Sequence, residues 1–432
     1  MLRVINDSKK IYPIVISVVN LILSFALFKV YISILEIDDY GRFSFLNSIL
    51  SFPQMFVFSP VLSGLLFYLS HSINKSSSVY YGYVMACIQM FSITLLLFLF
   101  VIIVFSANDR EILVRIGASG ILNKVEVLLG ITNIVLIYIS NLFDQIFLAN
   151  KKNLTFSTIQ LSSLFFKVIG IILTYGLFRR TDIVAINILL ILISIFIIVI
   201  QIIAVSKLKI IKWAFITKSN FKKIRFVKKV TLYSLVFMVW GPFQFIFFFV
   251  DRYAIKSYGS LAELGNYAAL FQIGFTPIYL FLSIVSQYLA PEIFSREGNI
   301  YKYTLEVVVK LTLVLFSLAA LIYPLRDIIL EILLSSNYSL PSSIFIILFF
   351  AGAFFSLGQI GSVSLQSNKF PILLLFPKAS MALLAYLLCF ILMKLQGVLG
   401  VAFAMLIASV YYYFFIIILN LKKSKKHESK FC

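Results

Sequence analysis

Lys29, Lys167 and Lys378 each stand inside a long apolar run. An ionisable group at a bilayer centre costs about 2.5–3.5 kcal/mol and normally faces protein or water. Such lysines can replace the hydration of an anion, so they are the first candidates for binding chemistry. Lys167 is the deepest. It lies 13 residues past the start of its run and 10 before its end, where reaching either surface by snorkelling is hardest. Gln160, Ser163, Lys167, Gly170 and Thr174 recur at spacings of three and four and so share one helix face, which is expected to line a cavity. Lys378 follows Pro377 about a third of the way across, and Lys29 sits in the outer third of the first run.

Amides and hydroxyls, in one case with an acid, form further stripes at helical spacing. They are Asn47, Ser51 and Gln54; Gln244 with Asp251; Gln272, Thr276 and Ser283; and Ser356, Gln359 and Gln366. Any one of them could simply join neighbouring helices. Their occurrence on four helices across both halves favours a cavity suited to a polar, hydroxyl-rich substrate. Lys29, Lys167, Lys378, Asn47, Gln54, Gln160, Gln244, Gln272 and Gln359 are therefore the expected substrate-binding residues. Asp144 and His71 fall near inner helix ends, where solvated or paired roles are expected. Asp251 and Arg252 close the seventh run at the outer face, and mutual pairing accounts for them.

The elements that position these residues are set by composition. With 61% hydrophobic and 12% charged residues and a mean hydropathy of +1.03, the 432-residue chain has too few polar side chains to coat a water-soluble surface. Runs of about 20 apolar residues, with no alternation of polar and apolar, require helices rather than a β-barrel. Six spans are expected at 11–35, 43–69, 83–105, 125–148, 154–177 and 183–205, and six more at 230–250, 267–289, 305–325, 344–365, 372–393 and 398–419. The first span is expected to be a retained helix rather than a signal peptide, since no small-residue cleavage site follows it.

Of the 37 Lys and Arg residues, 23 fall on the side shared by the two termini and 10 on the other, which makes both termini cytoplasmic. Nine lie between Lys207 and Lys229 with no acid and with Trp213 among them. That segment reads as an interfacial linker on anionic headgroups, and the tail after Leu421 reads the same way. The net charge of +20 is thus spent on orientation and lipid, and no nucleic-acid partner is expected.

No glycine-rich stretch ends in Gly-Lys-Ser or Gly-Lys-Thr, so a phosphate-binding loop for ATP is absent. Two histidines and three scattered cysteines form no metal-ligand or disulfide pattern, and no nucleophile stands at a suggestive spacing from a base. No metal, no cofactor and no enzymatic activity are expected.

A repeat organises the chain. Asp39-Tyr40-Gly41-Arg42-Phe43 is followed by Pro53, and Glu263-Leu264-Gly265-Asn266-Tyr267 by Pro277, so acid, glycine, aromatic and proline recur at an offset of 224. Asn150-Lys151 and Asn368-Lys369 give a weaker echo. Six helices per half make the halves run in the same sense about an axis along the membrane normal. The expected fold is all-α, with two six-helix lobes at 1–205 and 230–421 around a central cavity, joined by the basic linker 206–229 and followed by a basic tail at 422–432. The glycines are expected in turns, and the prolines are expected to bend their helices.

This repeat, Asp251-Arg252 ahead of Leu264-Gly265-Asn266-Tyr267, and Gly397-Val398-Leu399-Gly400-Val401-Ala402 at the start of the last span resemble the Wzx-type flippases of the multidrug/oligosaccharidyl-lipid/polysaccharide (MOP) superfamily. The resemblance implies a MATE-like carrier that moves undecaprenyl-pyrophosphate-linked oligosaccharide repeat units from the cytoplasmic to the periplasmic leaflet of a bacterial inner membrane. It implies O-antigen or a related surface polysaccharide as the product, a polysaccharide polymerase and chain-length proteins as partners, and H+ or Na+ as a coupling ion. Cationic residues are expected in its cavity, which Lys29, Lys167 and Lys378 match by type and depth. The alternatives are a MATE-like small-molecule exporter, which would want acidic residues there, and a membrane O-antigen polymerase or ligase, which would want a large outer loop that this chain lacks.

Overall fold

The computed structural model describes residues 8–72, 123–150, 152–178, 183–208, 223–295, 298–334, 338, 340–367 and 371–428. The expected third span at 83–105, most of the basic linker, the Asn368-Lys369 turn and the last four residues lie outside them. The described chain is helical throughout: α1 (Ser8–Ile34), α2 (Ile37–Pro53), a π turn (Gln54–Phe58), α3 (Ser59–Ser72), α4 (Lys124–Ala149), α5 (Asn153–Phe178), α6 (Ile183–Lys207), α7 (Lys223–Tyr258), α8 (Leu261–Ser295), α9 (Ile300–Leu333), α10 (Ser342–Ser367), a 3-10 turn (Pro371–Leu374) and α11 (Leu375–Glu428). Among the described residues seven helices are long and apolar enough to cross a membrane.

The chain divides into two compact units. The first comprises residues 1–30 and 49–241, the second residues 31–48 and 242–432. In the first, α6 packs on α4 and α5, and α3 on α4. In the second, α10 is the central helix, packed by α8, α9 and α11, and 72% of its most apolar stretch is buried. Phe355 of α10 is the hub of an aromatic core, with ring centroids 4.8 Å from Phe247, 5.2 Å from Phe248, 5.9 Å from Tyr412 and 6.0 Å from Phe275 and Tyr279. Offset and edge-to-face pairs of this kind hold helices together where lipid removes the hydrophobic drive between them.

The repeat has a different local cause from the turns expected of it. Gly41 and Gly265 lie inside α2 and α8, and the positive-φ glycines among the described residues are Gly298 and Gly397. The acid of each copy belongs to a helix start. Glu263 accepts the Ser260 backbone N–H at 2.9 Å while the Ser260 hydroxyl accepts that of Glu263 at 3.1 Å, a capping box. Asp38 and Asp39 occupy the first turn of α2, where the helix dipole favours negative charge.

Each glycine then admits the other helix. A Cβ on Gly41 would stand 2.6 Å from the Leu261 carbonyl oxygen and 3.0 Å from the Gly265 nitrogen, and a Cβ on Gly265 would run into the Ile37 carbonyl. Ile37 and Leu261 are themselves 224 residues apart. The two contacts are therefore equivalents under the repeat, as expected where a two-fold axis passes between related elements. Gly265→Ala is expected to cost about 1–3 kcal/mol, because the obstacle is backbone and both helices must shift. The midpoint of thermal unfolding in detergent checks this, and an unchanged midpoint would contradict it.

The prolines differ between copies. After Pro53 the hydrogen-bond register slips, the Ser59 N–H reaching the Gln54 carbonyl five residues back to close the π turn, whereas α8 continues α-helical through Pro277. A Cβ on Gly241 of α7 would lie 2.5 Å from the Met55 carbonyl oxygen, so the widened turn is in backbone contact with α7. The last two expected spans are the two helical legs of α11, which meet at Gly397, where the backbone is non-helical (φ 62°, ψ −145°). Gly400 lets the second leg pass the Leu392 carbonyl. The Gly-Val-Leu-Gly run is thereby explained by geometry alone.

Candidate substrate site

Lys378 has the deepest setting of the expected lysines. It stands in the first turn of α11, directly after the 3-10 turn and Pro377, and is 3% exposed. Its Nζ donates to Oε1 of Gln244 on α7 at 3.4 Å. Gln244 lies one helical turn before Phe247 and Phe248, so the charge is held beside the aromatic core by a neutral amide. A helix amino terminus already carries about half a positive charge. Adding a buried ammonium makes this end of α11 strongly attractive to an anion and poorly suited to a cation.

The buried acid–base pair of the second unit, Asp251 and Arg252, is neutralised internally. Asp251 is fully buried, and both its oxygens lie 3.1 Å from Nη1 of Arg252. It also accepts from the Arg252 backbone N–H at 2.7 Å and from the Tyr267 hydroxyl at 3.0 Å. Arg252 reaches Ser44 Oγ at 3.3 Å and the Phe248 carbonyl at 3.1 Å, and it stacks 4.4 Å over the Phe271 ring. The expected pairing is present. It lies inside α7, which runs two turns beyond the end expected for the span, because paired charges need not leave the helix. Tyr267, the aromatic of the repeat, and Ser44 are partners that spacing did not reveal.

The remaining expected residues lie on several helices. Lys29 is half-buried on α1; Asn47 on α2 and Gln54 at the head of the π turn are exposed. Gln272 accepts from Thr276 at 3.2 Å within α8. Gln359 is half-buried on α10, its backbone carbonyl accepting from the Ser362 hydroxyl, which in turn accepts from Gln366 at 3.1 Å. The Gln359 amide nitrogen and the Ser356 hydroxyl are buried with no partner among the described residues. In the first unit Lys167 is half-buried, and its neighbours along the stripe face inward: Gln160 bonds Asp144 of α4, and Gly170 abuts Leu189 and Ile193 of α6. Lys378 and Gln244 are the pair of expected residues that the structure brings together.

No protein-family model and no curated protein matches this sequence. Solved structures do match the fold. A multidrug resistance MATE family transporter of the MOP superfamily, in its inward-facing conformation, superposes with a TM-score of 0.70 at 12% identity, over 95% of this chain and 96% of that one. The lipid II flippase MurJ in an inward closed conformation gives 0.70 at 18% identity, over 95% and 87%. The chain has the fold of the MOP transporters. A MATE protein in complex with MaD3S gives 0.66 at 13% identity, over 96% and 95%. The fold is thus that of a multi-pass membrane transporter, shared by proteins named for drug export and for lipid flipping.

Proposed function

We propose that the protein is a flippase for polyprenyl-pyrophosphate-linked oligosaccharides, moving repeat units for O-antigen or a related surface polysaccharide from the cytoplasmic to the periplasmic leaflet of a bacterial inner membrane. The observation that carries this reading is Lys378, buried in the first turn of α11 and held by Gln244. A diphosphate headgroup cannot enter hydrocarbon unless its hydration is replaced. An ammonium at a helix amino terminus supplies charge-assisted hydrogen bonds, and the amides of Gln244, Gln272 and Gln359 suit sugar hydroxyls.

With the cell interior negative, outward movement of the anion is favoured by about 2.3 kcal/mol per charge per 100 mV. Both termini are placed in the cytoplasm. The transport unit is taken as two six-helix lobes, 1–205 and 230–421, with basic segments 206–229 and 422–432 at the inner surface. Polysaccharide polymerase and chain-length proteins would act on the exported unit.

Removal of the gene is expected to leave lipid-linked oligosaccharide on the cytoplasmic face of inner-membrane vesicles, restored to the outer face by the intact gene. Accumulation of unpolymerised units on the outer face would instead indicate a polymerase. An unchanged distribution would indicate small-molecule export.

A further inference from the structure

A cleft in the first unit opens between the π turn and α4. Gln54 and Ser59 line it from the π turn and the start of α3, and Asn141 lines it from α4. The buried rings of Phe58 and Tyr138 lie beside them, stacked with centroids 4.0 Å apart. The turn itself brings Gln54 and Ser59 together. Residues five apart on an α-helix point about 140° away from each other. Where the Ser59 N–H reaches back five residues to the Gln54 carbonyl, the two positions fall into line on one face. An unbroken α-helix would group Gln54 with Asn47 and Ser51 and turn Ser59 to another side.

The two amides of this lining are not engaged in joining helices. Neither the Gln54 nor the Asn141 side chain makes a hydrogen bond with a described residue, although both stand within membrane-spanning runs. The polar groups that do join helices in this unit are bonded: Asp144 of α4 accepts from Gln160 of α5 and from Gln201 of α6, and Ser194 of α6 donates to Asn133 of α4 at 3.3 Å. A joint between the π turn and α4 would bond Asn141 to Gln54 in the same way, and no such bond is present. Gln54 and Ser59 are exposed and Asn141 is half-buried, so the cleft is open at its mouth. Its enclosed part holds about 10 Å³, room for one group the size of a water. No charged side chain lines it. An ion within the membrane would lack a counter-charge there, whereas a hydroxyl, which both donates and accepts, matches an amide that does the same.

We propose that this cleft is a subsite for an uncharged sugar. One hydroxyl or hydroxymethyl group enters between Gln54, Ser59 and Asn141, and the sugar ring stays at the mouth. An acidic sugar is disfavoured, because its carboxylate would meet amides and apolar side chains with no cation to replace its hydration. The role of the subsite in export deepens the flippase reading and rests on it, whereas the binding itself does not.

The test is native mass spectrometry of the full chain in a polyoxyethylene detergent, which carries no sugar of its own. The probes are glucosyl-diacylglycerol, the same diacylglycerol without sugar, and glucuronosyl-diacylglycerol. Wild type is expected to retain the glucosyl lipid in preference to both others. Asn141→Leu and Gln54→Leu are each expected to lower that preference by about twofold to tenfold, as for the loss of one neutral hydrogen bond. Both variants should fold, since each removes an unbonded amide from an apolar span, and retention of the plain diacylglycerol at the wild-type level checks this. Equal retention of glucosyl and plain lipid by wild type would mean that the cleft holds water only and would overturn the proposal. An unchanged preference in both variants would place the sugar elsewhere, and equal retention of the glucuronosyl lipid would remove the selection for uncharged sugars. A missing preference in a chain that does move lipid-linked oligosaccharide would overturn the subsite and leave the flippase reading, and the expected preference in a chain that moves none would do the reverse.

Discussion

Replacing Lys378 with Gln is expected to reduce export of lipid-linked sugars by about tenfold to a hundredfold, since one hydrogen bond to a charged group is worth about 1.5–3 kcal/mol. The amount of folded protein should stay near that of wild type. Glutamine is one bond shorter but keeps a polar amide facing Gln244, and removing a charge from a site 3% exposed relieves its desolvation. Lys378→Arg should not restore activity in full, because a planar guanidinium is larger and a packed site accommodates added volume poorly. The leaflet distribution of lipid-linked oligosaccharide, normalised to protein, is the readout. Wild-type distribution in Lys378→Gln would remove Lys378 from the mechanism.

Arg252→Leu carries the largest expected loss of stability, about 3–5 kcal/mol, because it leaves the fully buried Asp251 without its counter-ion. The Tyr267 hydroxyl would remain as the only side-chain donor described at that carboxylate, and the contacts of Arg252 with Ser44, the Phe248 carbonyl and the Phe271 ring would be lost as well. Removing both charges, in Asp251→Asn with Arg252→Leu, should be milder than Arg252→Leu alone. That non-additivity distinguishes a neutralised pair from two independent contacts. Thermal midpoints of the two single variants and the double variant complete the cycle. A single arginine variant as stable as wild type would contradict the pairing.

Much of the fold could be read from apolar run length. The span expected at 125–148 is Lys124–Ala149, and that at 154–177 is Asn153–Phe178. Run length failed where charge lies inside a helix. α7 was expected at 230–250 and extends over Lys223–Tyr258, because Asp251 and Arg252 cancel each other within it. The repeat pointed to the right residues for an incomplete reason. Gly41 and Gly265 resemble turn glycines by type, yet two helix backbones meet there, and such a contact leaves no mark on either helix alone.

The candidate sites divide in the same way. Lys378 and Gln244 were legible because polar side chains in apolar runs are costly, and the structure joins them. The Asp144 cluster was not. Gln201 lies in the most apolar of the described spanning helices, with no polar stripe to mark it, and reaches Asp144 across 57 residues of sequence.

The most direct measurement is translocation by the purified chain in liposomes carrying a fluorescent polyprenyl-pyrophosphate oligosaccharide, with a membrane-impermeant reductant added outside. Without protein, the inner-leaflet pool should stay protected from bleaching. With wild type the protected pool should be lost, and with Lys378→Gln it should be largely retained. A protected pool identical with and without wild-type protein, in liposomes that do move a fluorescent cationic drug, would contradict the flippase account and favour a small-molecule exporter on the same fold.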